Sequence, residues 1–380
     1  GKGRAGMSTR DEDFVSKVYV CNTHTPVLFF SSRGIVYRLK VYRLPEGSPQ
    51  ARGKALINLL PLKENETITT VMPMPEDEES WSDLSILFAT ASGGVRRNRL
   101  SDFTNIMTNG KIAMKLDEGD QLIGVQTCNE EQDVILAANS GKCIRFPVTD
   151  VRVFSGRTST GVRGIRLKKD QRIVSMTMLT HTGLQTGIRD AYLRMSKLRR
   201  RINDEEFESS VVEENNEENV ASEEQINLSE DQFSMLGDAE EFILTVTENG
   251  YGKRTSAYEY RITKRGGQGV VNIKTQGRNG SVAASFPVKE NDEIMLVTDG
   301  GKIIRSPVSD IRIAGRSTQG VTLFDTGEGE KVVSVAHLQE PDAGNGIDDT
   351  NPVTEGRDRL NEVPDGPEFS GKADNAVGDA

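Results

Sequence analysis

Val134-Ile135-Leu136-Ala137-Ala138-Asn139-Ser140-Gly141-Lys142-Cys143-Ile144-Arg145 reads as two short β runs joined by a turn at Gly141. An apolar run closed by a glycine and followed by a second run is a hairpin signal. The pattern recurs. Gly34, Gly93, Gly250 and Gly301 follow Val27-Leu28-Phe29-Phe30, Ile86-Leu87-Phe88, Ile243-Leu244 and Ile294-Met295-Leu296-Val297, and each precedes a second run. Four residues beyond all five glycines stands an arginine: Arg38, Arg97, Arg145, Arg254 and Arg305. A second glycine register comprises Gly3, Gly53, Gly110, Gly161, Gly269 and Gly320, at intervals of 50, 57, 51, 108 and 51 residues. A third register is the apolar run closing each unit: Phe14-Val15, Ile68, Leu122-Ile123, Ile173-Val174, Val282 and Val332-Val333. Strand-like units repeating at roughly 40–50 residues are the signature of a circular β-array or solenoid.

The expectation is therefore an all-β array of six units, each supplying about four strands. The 108-residue interval holds about two periods, one of them an insert without repeat signal. The chain opens at Gly1, where the third element of a unit should begin, so the first unit lacks its leading hairpin. This reads as a fragment cut from a longer polypeptide. The repeats occupy 1–338, interrupted by a charged insert at 180–238 and followed by a tail at 339–380.

Charge separates these parts. Residues 1–179 carry 25 Lys+Arg against 20 Asp+Glu, and 239–338 carry 13 against 12. Residues 180–238 carry 6 against 14, and 339–380 carry 3 against 11. A modestly basic array thus bears two acidic, aromatic-poor appendages. Such composition cannot offset the entropy of ordering, so both are expected to be largely disordered. Within the insert, Tyr192 to Ile202, with Arg194, Lys197, Arg199, Arg200 and Arg201, reads as a short basic helix; Glu205 to Asp238 is an acidic run. The insert is a solvated surface loop or a competitor for a polyanion at the basic rim, and the tail a solubiliser or a regulator.

Several classes find no support. No run of 18 apolar residues spans a membrane, and no secretory signal opens the chain. Cys21, Cys128 and Cys143 lack metal-like spacing and read as buried free thiols in a reducing cytoplasm. His24, His181 and His337 are too scattered for a metal site, and no phosphate loop or nucleophile elbow occurs. Trp81 reads as a packing plug. The chain is expected to be non-catalytic, with no metal and no cofactor of its own.

What remains is the basic loop around each register glycine: Lys2 and Arg4; Arg52 and Lys54; Lys111; Arg157 and Arg163; Lys264 and Arg265; Arg316. In a circular array equivalent loops fall on one rim, giving a curved cationic stripe suited to wrapping nucleic acid. The bland reading is that these cations solvate an edge and block edge-to-edge pairing. Arg99 and the hairpin arginines Arg38, Arg97, Arg145, Arg254 and Arg305 join the candidate DNA-binding set. Thr263-Lys264-Arg265-Gly266-Gly267-Gln268-Gly269 puts two cations beside a double glycine, where exposed amides could reach phosphate oxygens.

At these residues the chain resembles the C-terminal DNA-wrapping domain of the bacterial DNA gyrase A protein, in the type IIA topoisomerase family. That family carries a Gln-(Arg/Lys)-Arg-Gly-Gly-(Lys/Arg)-Gly box, and Gly1-Lys2-Gly3 looks like its last three residues. The resemblance continues through Gly34-Ile35-Val36-Tyr37, Asn58-Leu59-Leu60-Pro61-Leu62, Thr160-Gly161-Val162-Arg163-Gly164-Ile165-Arg166-Leu167, Asn249-Gly250-Tyr251-Gly252-Lys253-Arg254-Thr255 and Gly315-Arg316-Ser317-Thr318-Gln319-Gly320-Val321. The box-like loop at 263–269 departs from the motif at Thr263 and Gln268, so it reads as a degenerate blade loop.

The resemblance implies a six-bladed β-pinwheel, a propeller relative whose neighbouring blades exchange strands, with the first blade truncated. It implies double-stranded DNA wrapped around the rim with a positive crossing, supporting ATP-dependent negative supercoiling. Its implied partners are the gyrase A N-terminal region and the gyrase B protein in an A2B2 holoenzyme, with ATP and Mg2+ bound elsewhere in that assembly. The implied location is the bacterial cytoplasm, in association with the nucleoid. The rivals are a topoisomerase IV-type C-terminal domain, which binds DNA but wraps it poorly, and a protein-binding propeller scaffold.

Overall fold

A computed structural model describes residues 19–48, 51–204 and 226–338. The first unit of the array, residues 205–225 of the acidic run and the tail lie outside them. Among the described residues, five antiparallel sheets follow one another along the chain. The first described blade orders its strands Ile68–Pro73, Pro26–Ser31, Ile35–Lys40 and Lys111–Ile112. The second orders Val162–Arg163, Gly94–Arg99, Ser85–Thr90 and Leu122–Cys128, and the third Ile173–Thr180, Gln132–Ala138, Lys142–Pro147 and Val270–Val271. In the fourth the order is Val282–Val288, Phe242–Thr247, Tyr251–Ser256 and Val321–Thr322. The fifth contains Ile303–Pro307, Glu293–Thr298 and Val332–Leu338.

The first strand of each hairpin is a largely apolar run because both of its faces are covered. Ile86 and Phe88 share a core with Leu28, Phe30 and Leu122 of the first and second blades. Their neighbours Leu87 and Ala89 point the other way, into a core with Val134 and Leu136 of the third. Ile135 and Ala137 then meet Ile243 of the fourth, and Leu244 and Val246 meet Ile294 and Leu296 of the fifth. Side chains alternate across a strand, so two apolar faces require an uninterrupted apolar run. Trp81 is buried in the first of these cores, with its indole N–H donating to the Pro75 carbonyl at 2.9 Å. Cys128 and Cys143 are buried free thiols; Cys21 is half-buried.

Each of the first four blades takes its short fourth strand from the next unit. Those strands begin one residue after Gly110, Gly161, Gly269 and Gly320, which explains the second glycine register. Gly269 has φ +75°, and a Cβ there would lie 2.3 Å from the Cys143 carbonyl oxygen of the receiving blade. Only glycine permits both the left-handed backbone and that approach. The hairpin glycines serve the same junction: a Cβ on Gly141 would meet the Ile273 carbonyl at 2.3 Å.

The insert contains the expected basic helix, and more of its two ends is helical than the sequence suggests. Its ends are helical: α1 runs Thr186–Asp204, longer than the 192–202 read from sequence, and α2 runs Glu230–Asp238 from a Ser229 capping box. Ala191, Tyr192, Leu228 and Tyr258 form a buried cluster with Ile188 and Phe233 around it. Tyr192 packs at 4.9 Å from Phe233 and 5.3 Å from Tyr258 between ring centroids. Mean composition hid this because the few aromatics of the segment lie on facing surfaces.

Candidate nucleic-acid interface

The candidate basic residues divide by burial. Arg97, Arg145 and Arg254 are 4–5% exposed, and their guanidinium groups are already occupied. Arg97 Nε donates to Ser85 Oγ at 3.0 Å, and its Nη2 pairs with Glu130 at 2.6 Å. Arg145 pairs with buried Asp133 at 2.8 Å and donates to the carbonyls of Ala257 (2.9 Å) and Thr180 (3.0 Å). Arg254 donates to the carbonyls of Ile311 (2.6 Å) and Ser309 (3.2 Å) and pairs with Glu290. Isolated parallel bridges join these three arginines to Val153, Ile262 and Ile313 of the following unit. The hairpin arginine therefore fastens one unit to the next, and buried side chains so occupied are not free to meet phosphate. The recurrence was real, but its cause is the junction. Arg38 likewise donates to the Thr104 carbonyl at 2.8 Å, and exposed Arg305 pairs with Glu293.

The loop cations are placed differently. Arg52, Lys54, Arg99, Arg163 and Lys264 are exposed, while Lys111, Arg157, Arg265 and Arg316 are half-buried. Gly1, Lys2, Gly3 and Arg4 lie outside the described residues. Lys111 and Arg157 line one open cleft of about 490 Å³ with Asp102 and Gly156. The next two loops touch through their backbones: Gly266 N donates to the Gly164 carbonyl at 2.6 Å, and Arg166 N to the Gly267 carbonyl at 2.8 Å. Arg265 braces that contact, donating to the carbonyls of Asp150 (2.9 Å) and Arg163 (3.1 Å). Arg316 continues the series through the Val271 carbonyl at 2.5 Å and the Glu259 carbonyl at 3.2 Å. The basic loops of units three to six thus form one contiguous surface. Of the two amides of the double glycine, the Gly266 N–H is held by Gly164 and is not free as expected, while Gly267 is exposed. Gln268 is exposed.

Two sets of residues escaped the sequence reading. Arg96 and Lys253, each immediately before a hairpin arginine, are fully buried. Arg96 Nη1 donates to the carbonyls of Arg157 (2.6 Å) and Ser159 (2.9 Å), its Nη2 to Ala113 and its Nε to Asn98 at 2.8 Å. Burial, with a smaller push from Arg157, lowers the Arg96 guanidinium to about 10. Lys253 Nζ similarly holds the carbonyls of Gly315 (2.5 Å) and Arg316 (2.7 Å). Both cations are internal posts that fix the shape of a rim loop. The second set is Arg152, Arg261 and Arg312, all exposed at equivalent places one residue before the parallel bridges. Their signal was legible: Asp150-Val151-Arg152-Val153, Glu259-Tyr260-Arg261-Ile262 and Asp310-Ile311-Arg312-Ile313.

His181 Nδ1 lies 2.7 Å from Asp133 and His337 Nε2 lies 2.6 Å from Asp292, so both histidines serve local carboxylates. Among the described residues no helix is long and apolar enough to cross a membrane.

Comparison with known proteins agrees with this architecture. The family described as DNA gyrase C-terminal domain, beta-propeller, matches residues 1–22, 25–73, 85–129, 132–179, 241–289 and 292–338. The DNA gyrase A protein of Rickettsia bellii is 49% identical over 340 residues, covering 90% of this chain and 36% of that protein. Its Granulibacter bethesdensis counterpart is 49% identical over 349 residues (90% and 37%), and that of Salmonella typhimurium 38% over 341 (90% and 32%). The chain spans about a third of the length of these curated relatives. Among solved structures, the C-terminal domain of DNA topoisomerase IV superposes with TM-score 0.67 at 20% identity, covering 88% of this chain and 85% of that one. A DNA gyrase A C-terminal domain superposes with TM-score 0.57 at 22% identity, covering 84% of each. At these identities the likeness concerns the fold.

Proposed function

The chain belongs to the DNA gyrase C-terminal domain family, and from that premise we propose that it wraps duplex DNA around its basic rim with positive handedness, as the non-catalytic wrapping module of a type II topoisomerase. The observation that carries the proposal is the contiguous run of rim loops bearing Lys111, Arg157, Arg163, Lys264 and Arg316 in successive units. Exposed Arg52, Lys54, Arg99, Arg152, Arg261 and Arg312 add charge to the same array.

DNA has a persistence length of about 500 Å, and bending a short site tightly costs on the order of 1–10 kcal/mol. Phosphate neutralisation offsets that cost without reading bases. Six such contacts correspond to a slope of about −5.4 in log K against log salt. A rigid rim matters here, because cations held at fixed spacing act together on one curved path. The internal posts Arg96 and Lys253 supply that rigidity.

In the whole protein, the wrap would present a second duplex to a cleavage site in the gyrase A N-terminal region. ATP and Mg2+ would be bound elsewhere in an A2B2 assembly with the gyrase B protein. The setting would be the bacterial cytoplasm and nucleoid.

The test is topological. Relaxed plasmid is incubated with the chain, treated with a topoisomerase I and stripped of protein. A positive linking difference that grows with protein supports chiral wrapping. Binding with no linking change refutes the wrap and favours a topoisomerase IV-like role, while absence of binding at low salt refutes DNA recognition and favours the scaffold.

A further inference from the structure

The rim makes no use of α1, which carries six Lys and Arg against two Asp. Its inner face is accounted for: Ala191, Tyr192 and Ser196 are buried against α2 and Tyr258. Arg199 lies 4.0 Å over the Phe233 ring and pairs with Glu230 at 2.6 Å, and Arg189 pairs with Asp190 at 2.7 Å. Arg194, Lys197 and Arg201 stand on the opposite face, all exposed. Among the described residues none of the three makes an ion pair, and Arg194 alone makes a hydrogen bond, to the Ile226 carbonyl at 3.3 Å.

Three unpaired cations spaced three and four residues apart repel one another along a helix. They span eight residues, seven steps of about 1.5 Å each, or about 10 Å of helix. Their place in the fold gives the repulsion a use. α1 packs on the 3-10 turn Ala257–Glu259. Within that turn Glu259 accepts from the backbone N–H of Arg316 at 3.4 Å. The turn therefore links the cationic helix to a basic rim loop, and Arg261 stands two residues beyond Glu259.

We propose that Arg194, Lys197 and Arg201 form a second phosphate-binding face that carries duplex DNA from the rim onto the helical insert. The inference rests on the wrapping reading and deepens it. The occupant is the sugar-phosphate backbone, because the face is purely cationic and its helix packs on a turn bonded to a loop proposed to hold the same polyanion. It lengthens the bound path without base readout.

The test compares the 380-residue chain with a variant carrying R194Q, K197Q and R201Q, using duplex DNA between 50 and 200 mM salt. Circular dichroism and urea unfolding check the fold, and single substitutions serve if the triple variant is unstable. Loss of three phosphate contacts lowers the salt slope by about 2.7, so the affinity advantage of the original chain shrinks about 40-fold across that range. A nuclease footprint on long DNA should also shorten. Equal slopes and footprints overturn the inference while leaving the rim intact. Absence of binding by the original chain at 50 mM overturns the wrapping reading and this inference with it. A third arm replaces the nine glutamates of 205–225 by glutamine. If the triple substitution is silent and this replacement raises affinity, the face serves the acidic segment, and the proposal falls.

Discussion

Replacing Arg96 by methionine tests the claim that buried cations hold the rim. Arg96 is fully buried and donates four hydrogen bonds, to Asn98 and to the carbonyls of Ala113, Arg157 and Ser159. Its guanidinium also lies 4.9 Å over the Phe88 ring. Methionine retains much of the volume, so the cavity contribution is small. The loss is the donors: buried acceptors that Arg96 satisfied are left without a partner, each costing about 1–3 kcal/mol. Lysine offers a comparison already present in the molecule, because Lys253 does the equivalent work in the fourth blade through Gly315 and Arg316. R96K keeps the charge and two or three donors, so its expected cost is about 1 kcal/mol.

Urea unfolding followed by fluorescence reads this well, since Trp81 is the single tryptophan and packs in the same core as Phe88. R96M should lower the unfolding midpoint far more than R96K. It should also weaken DNA binding through the freed Arg157 loop. Equal losses for the two variants, or a loss below about 1 kcal/mol for R96M, would refute the post assignment.

Three further outcomes follow from local geometry. Gly269→Ala should cost about 3 kcal/mol, combining left-handed strain with retreat of Val270–Val271 from Cys143. Gly119→Ala, with φ +78° and no atom within 4 Å, should cost only about 1 kcal/mol, and equal losses in thermal melts would contradict the close-approach argument. Glu330 accepts from Lys302 (2.7 Å) and Gly327 N (2.9 Å), which with Thr298 pull its carboxyl down to about 2. Its folded value lies below the unfolded one, so its contribution is present above about pH 4.5 and is lost as pH falls towards 2. E330Q should remove that part of the acid-unfolding slope, and an unchanged slope would count against the assignment. Burial pushes the Cys128 and Cys143 thiols up to about 12, so a thiol reagent should label Cys21 alone in the folded chain and all three in denaturant.

The repeat was legible because it is enforced by backbone geometry. A positive-φ glycine at each strand entry and an apolar run packed on both faces leave direct marks at fixed spacing. The candidate site was legible only by half. Loop cations such as Arg163 and Lys264 stand exposed as expected, whereas Arg97, Arg145 and Arg254 share the periodicity and are buried. Periodicity reports equivalent position, and an equivalent position can be an interior junction as readily as a surface. Arg152, Arg261 and Arg312 carried a repeated local pattern that went unread because it follows a turn and does not adjoin a glycine. The helices of the insert were underestimated because composition averages over a segment, while Tyr192 stabilises it by packing against both Phe233 and Tyr258.

The sequence alone determined the all-β class, the unit length, the hairpins and the separation of a basic array from acidic appendages. Those properties depend on local backbone preference, burial pattern and net charge, which are written residue by residue. The tertiary structure decided which cations face solvent, which loops touch, and that α1 stands beside the rim. An arginine side chain long enough to reach either water or a neighbouring blade's carbonyls has no preference until that blade is in place.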